Sequence, residues 1–252
     1  MNEIPVYFIN LESRLDKRHN IEKQLNFFKV YGIRIPGQRP TKNPDANPFV
    51  TAEVAGCWLA HKLAYKKVID DNHQFALILE DDAMISKDFF PKLNSSLDKF
   101  SQKDIDLLQI GFVDVSRTKY MLRLISDFVW KAEVSFLSYL GTMKPLALSK
   151  HFSVKIRVRR AVRTRDLSRQ LQFGLLRPDD FMAGTHAYIV SVKFAQILNQ
   201  ANDPIMFSSD QFLISLSKMC TFNIWRTTFN YSRQEVNFSS DIEGKRFVNY
   251  SN

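Results

Sequence analysis

The chain has 252 residues, 45% hydrophobic and 24% charged, the balance of a globular protein with a substantial core, which excludes a disordered or fibrous polypeptide. Its net charge of +9 favours anionic partners: nucleic acid, acidic lipid or a phosphorylated substrate. Cys57 and Cys220 are its two cysteines, so no disulfide framework is implied, and Met1 to Pro5 lacks the basic start and long apolar stretch of a secretory leader. Both features point to a cytoplasmic setting. The uncharged stretch 134–143 is too short to span a bilayer.

In chain order, Val6-Tyr7-Phe8-Ile9 reads as a strand that stops at Asn10. A helix over 16–28 follows, with Ile21, Leu25 and Phe28 on one side and Arg14, Lys17, Arg18 and Lys23 elsewhere. Arg14 and Arg18 then sit at the helix start, as a solvated basic face or as guanidiniums reaching a diphosphate or sugar hydroxyl. A second strand spans 30–35, and Pro36, Pro40, Pro44 and Pro48 break up the loop after it. The next helix starts near Thr51, a suitable N-cap, and carries Val54, Trp58, His61, Tyr65 and Val68 on one face. On that apolar face His61 reads first as a hydrogen-bonded core histidine, and Cys57 as a small buried hydrophobe.

Phe75-Ala76-Leu77-Ile78-Leu79 is an unbroken apolar run, the signature of a strand buried on both faces, and it ends in Glu80-Asp81-Asp82. Such strands belong to mostly parallel sheets flanked by helices, so the fold class expected is α/β, in a single domain over 1–252. Ligands of open α/β sheets bind beyond the carboxyl ends of the strands. Three acids there repel one another unless a cation or solvent relieves them, and hard carboxylate oxygens suit Mn²⁺ or Mg²⁺ shared with substrate phosphates. The plain alternative is a solvated acidic turn.

Further on, 88–100 reads as an amphipathic helix and 105–110 as a buried strand. Between 113 and 177 no element stands out. Residues 183–191 read as a turn into a strand, 193–199 as a helix, and Ser208-Ser209-Asp210 as the start of another, with a serine cap. A last strand covers 222–229, with no clear element in the polar tail.

Four motifs together resemble glycosyltransferase family 25. They are Val6 to Leu11 with Arg14, Asp16 and Arg18; Gly56-Cys57-Trp58-Leu59-Ala60-His61; Ala76 to Ala83; and Gly184-Thr185-His186-Ala187-Tyr188. Two departures stand in the second: Ala60 replaces the family's serine, and Glu53 lies four residues before Cys57 rather than three. The resemblance implies a GT-A-like fold and transfer of a hexose, galactose, from a UDP-sugar donor to a glycan or glycolipid hydroxyl with inversion. Asp82 is then the first metal ligand, with Glu80 on the same side if strand alternation continues, and His186 completing the shell. Asp81 faces the nucleotide ribose, and Asn10, Arg14 and Arg18 line the donor site. Asp210 is the expected catalytic base, with Asp179 and Asp180 as rivals. Segment 112–178 lies outside the resemblance and shapes acceptor choice.

Two other classes stay open. A metal-dependent nucleotidyl or phosphoryl transferase would use the same acids, although no Gly-rich phosphate loop or Walker-type lysine is present. A non-catalytic domain of the same fold would bind an anionic surface through its arginines. The basic run Lys155, Arg157, Arg159, Arg160, Arg163, Arg165 and Arg169 lacks the patterns of nucleic-acid readers, so no nucleic acid is expected. It reads either as a solvated face or as a peripheral contact with anionic membrane on the cytoplasmic leaflet.

Overall fold

The computed structural model describes residues 3–40, 50–112, 169–176, 184–218 and 221–235. All fall in one of the chain's two compact units, Met1–Phe112 with Val158–Asn252; the other, Val113–Arg157, lies outside the described residues. Among the described residues a seven-stranded sheet forms the centre, with spatial order β2-β1-β3-β7-β5-β8-β6. Its strands are β1 (Val6–Asn10), β2 (Gly32–Pro36), β3 (Phe75–Glu80), β5 (Leu107–Gln109), β6 (Phe173–Leu175), β7 (Ala187–Ser191) and β8 (Ile224–Thr227). A small second sheet pairs β4 (Ala83–Ile85) antiparallel with β9 (Ser232–Gln234).

The α/β class holds, but the sheet is mixed rather than mostly parallel. β1 runs parallel to β2 and β3, and β5 parallel to β8, whereas β7 is antiparallel to both β3 and β5, and β6 to β8. All five residues of β7 are buried. A strand covered on both faces reads as a continuous apolar run whichever way it points, so its direction is not written in its composition.

Helices cover both faces. On one, α2 (Ala52–Asp70), α5 (Val192–Gln200) and α6 (Ser209–Lys218) pack over Tyr7, Ala76, Ile78, Tyr188 and Val190. On the other, α1 (Leu15–Phe27), α3 (Phe89–Asn94) and α4 (Leu97–Gln102) pack over Val6, Phe8, Leu77, Leu79 and Ile189. Alternate residues of β1, β3 and β7 thus enter opposite layers, as the pleat requires.

Local chemistry sets the helix ends. Thr51 Oγ1 accepts from Val54 N at 3.4 Å, and Ser191 Oγ accepts from Phe194 N at 3.2 Å, capping α2 and α5. The helix expected over 88–100 is broken in two. Ser95 Oγ and Ser96 Oγ bond back to the carbonyls of Pro91 and Lys92, at 2.9 and 2.6 Å, and end the first piece. Strands β4, β6 and β9 had no counterpart in the sequence reading.

Trp58 anchors the first layer: it is fully buried, with edge contacts to Phe212 at 5.1 Å and Tyr65 at 6.1 Å between centroids. Trp58→Ala is expected to cost about 3–5 kcal/mol, read as a lower midpoint of urea unfolding with the slope kept. Among the described residues no helix is long and apolar enough to cross a membrane. Of the basic run, Arg169 is exposed and the rest lies outside the described residues.

Candidate active site

Because β1 and β3 are parallel, their carboxyl ends lie side by side, with Ile9 opposite Glu80. β7 enters antiparallel, so its beginning meets the end of β3, and Glu80 N donates to the His186 carbonyl at 2.8 Å. β5 ends at the same edge, where Gln109 Nε2 donates to the Gly184 carbonyl at 2.8 Å. Gly184 has φ of 90°, a conformation that side chains disfavour, and it turns the chain into Thr185 and His186. Residues 10, 80–82 and 184–186, far apart in sequence, are therefore gathered at one sheet edge.

The three acids take different partners. Strand β3 ends at Glu80, and Asp81-Asp82 form a turn into β4, so the alternation expected to put Glu80 and Asp82 on one side stops. Glu80 Oε1 accepts from Thr185 Oγ1 at 3.0 Å and lies 3.4 Å from His61 Nε2 of α2. Asp81 Oδ2 accepts from Asn10 Nδ2 at 2.8 Å. Lys17 Nζ of α1 lies 3.6 Å from Asp81 Oδ1 and 3.4 Å from Asp82 Oδ2.

Burial pushes the Asp81 carboxyl up to about 6, against the pull of Lys17 and the Asn10 amide. Burial, and then the charge of Glu80, raises Asp82 as well, with Lys17 and His186 opposing. For Glu80 burial also favours the neutral acid, but His61, His186 and Thr185 outweigh it and hold the carboxyl below its ordinary value. Burial works against a charged His61, yet Cys57 and Glu80 beside it raise the imidazole to about 10.

Lys17 is the residue sequence reading passed over. It is 4% exposed and lies one turn before Ile21 and two before Leu25, which are buried on the same side of α1. The i, i+4, i+8 spacing carried the signal. Removing it leaves Asp81 and Asp82 facing each other largely out of solvent. Lys17→Met is expected to lower stability by about 3 kcal/mol. Mn²⁺ should raise the melting temperature of that variant more than that of the wild type, in a thermal scan with and without the ion.

Both arginines pair with acids of α1. Arg14 makes a fork onto Asp16, at 2.8 and 3.0 Å, and Arg18 pairs with Glu22 at 2.8 Å. Arg34 of β2 instead reaches Asn10 Oδ1 at 3.1 Å and Glu12 at 2.7 Å. Asp210 lies in the first turn of α6, half-buried. Ser208 Oγ accepts from Gln211 N at 3.3 Å and Gln211 Oε1 accepts from Ser208 N at 3.4 Å, a capping box that fixes this helix start. The adjacent Ser209 hydroxyl is 3.3 Å from Thr185 Oγ1 and 3.6 Å from Cys57 Sγ, which brings the start of α6 against the Glu80 end of the cluster. Asp179 and Asp180 lie outside the described residues.

A divalent cation fits the acids on two observations. His186 Nε2 donates to the Ser232 carbonyl at 3.0 Å, which leaves Nδ1 as the bare, lone-pair nitrogen. That Nδ1 and Asp82 Oδ1 are buried and have no hydrogen-bond partner among the described residues. A Cβ on Gly111 would collide with the His186 ring, so glycine there lets the imidazole sit against β5.

This is a cluster of three acids with a buried lysine, at the strand ends of a mixed α/β sheet. The model of glycosyltransferase family 25 (LPS biosynthesis protein) matches residues 3–213, and the chain belongs to that family. It is also similar to Procollagen galactosyltransferase 2 of Homo sapiens, 28% identical over 126 residues, which cover 42% of this chain and 20% of that protein. The match thus takes in about a fifth of the curated relative's length.

Proposed function

We propose that this glycosyltransferase moves a hexose, galactose, from a UDP donor to a glycan hydroxyl with inversion, on a GT-A-like fold. The observation that carries the reading is that Asp82 Oδ1 and His186 Nδ1, near Glu80 at the strand ends, are buried with no hydrogen-bond partner among the described residues. Asp82 and His186, with Glu80 behind them, would hold Mn²⁺ or Mg²⁺. Bound there, the ion would neutralise the diphosphate and make UDP a better leaving group.

The chain's own groups have separate tasks in this reading. Lys17 keeps Asp81 and Asp82 charged and apart while the site is open. Asn10 holds Asp81 toward the nucleotide ribose through its amide. Asp210, at a helix start where free N–H groups favour the carboxylate, accepts the acceptor hydroxyl's proton as that oxygen attacks the anomeric carbon. In-line attack from the face opposite the departing UDP inverts the configuration. The galactosyl specificity is supported by the name of the relative alone.

The test is product analysis with UDP-galactose and a panel of glycan and lipooligosaccharide acceptors. A product heavier by one hexose, with a β-anomeric proton in its NMR spectrum, is the expected result. An α-linked product would overturn inversion, and nucleotidyl or phosphoryl transfer would replace the reading altogether.

A further inference from the structure

We propose that Cys57, His61 and Glu80 form a second cation site, of the thiolate-bearing kind that takes Zn²⁺, beside the oxygen-rich site at Asp82. Cys57 and His61 are one turn apart on α2 and face the end of β3. Their Sγ and imidazole nitrogen lie with a Glu80 carboxylate oxygen inside a 4.8 Å cluster. One sulfur, one nitrogen and one oxygen make a borderline-soft donor set, which prefers Zn²⁺ over the harder Mn²⁺ or Mg²⁺.

His61 supplies the independent sign of a ligand. The residue is 1% exposed, and among the described residues its Nε2 meets only Glu80 Oε1, in a long ion-pair contact of 3.4 Å. Nitrogen and oxygen ligands on a tetrahedral zinc ion stand roughly 3.4 Å apart, the separation seen here. The other ring nitrogen is already anchored: His61 Nδ1 is 2.8 Å from Tyr188 OH, which is 2.8 Å from Tyr65 OH. With Nδ1–H donating to Tyr188 and Tyr188 to Tyr65, the ring is held with Nε2 facing Glu80, and loss of the Nε2 proton frees a lone pair there for a metal. The Ser209 hydroxyl, 3.6 Å from Cys57 Sγ, or a water takes the fourth position.

Binding balances as an exchange of cations for protons. Zn²⁺ enters, the Cys57 thiol gives up its proton to solvent, and any proton on His61 Nε2 leaves with it. The ion ties α2 to β3 through Glu80 and, by way of Ser209, to the start of α6. It would thereby fix the element that carries Asp210.

The experiment titrates Co²⁺ alone into metal-free, full-length protein and follows absorbance. A thiolate-to-cobalt charge-transfer band that saturates at one equivalent and is removed by Zn²⁺ is expected. The band should vanish in Cys57→Ser and persist in Cys220→Ser. Asp82→Ala should keep it, because oxygen ligands give no such band, so failure here and failure of the proposed transfer mechanism are told apart. As a measure free of any variant, Zn²⁺ should slow alkylation of Cys57 by about tenfold or more, mapped by mass spectrometry. Absence of the band, its survival in Cys57→Ser, or alkylation of Cys57 unchanged by Zn²⁺ would each overturn the site.

Discussion

Asp82→Ala is expected to abolish metal-dependent donor binding and to lower transfer by about a thousandfold or more, with the fold intact. Of its two oxygens, Oδ2 is taken by Lys17, and Oδ1 is buried with no hydrogen-bond partner among the described residues. Removing the side chain therefore deletes a buried carboxylate oxygen that the ion would take up. It should not unfold the protein, because burial and Glu80 already disfavour the Asp82 charge, and Lys17 keeps Asp81 as its partner. Calorimetric titration of UDP with Mn²⁺ present checks the binding, and circular dichroism checks the fold. Wild-type transfer at full rate in excess chelator would refute the role of the ion.

Asp210→Asn should lower kcat by roughly two to four orders of magnitude while donor affinity is kept. The change is nearly isosteric, and the capping box of Ser208 and Gln211 holds the helix start without Asp210. What is lost is a proton acceptor, next in sequence to the Ser209 that touches Thr185 and Cys57. Steady-state kinetics at saturating donor, with UDP binding measured separately, read the two effects independently. A near-normal kcat would move the base to Asp179 or Asp180.

What could be read in advance follows from where each residue's information lies. The apolar run at Phe75–Leu79 and the acids after it are local, so the strand and its site-bearing end were legible. Thr51, and a serine cap at 208–209, were legible for the same reason; the structure gives that cap to Ser208. The direction of β7 was not, because a strand buried on both faces has no polar side to orient it. β4 and β9 are three residues each and exist through their pairing with one another, a contact between residues 83–85 and 232–234 that no local pattern announces. Lys17 was obscured by its charge: it looks like a surface residue until α1 is seen to carry it into the cluster. His61 was expected as a hydrogen-bonded core residue, and its Tyr188 contact is that. Its second nitrogen faces Glu80, which only the approach of α2 to the end of β3 reveals. Cys57 likewise is half-buried beside Ser209 rather than a plain core hydrophobe.

The most direct measurement is release of UDP from UDP-galactose without acceptor, in metal-free protein and after return of Mn²⁺ or Mg²⁺. Slow hydrolysis that appears only with the ion, favours UDP-galactose over other nucleotide sugars and disappears in Asp82→Ala is the predicted result. Release that proceeds equally in chelator, or in Asp82→Ala, would contradict it.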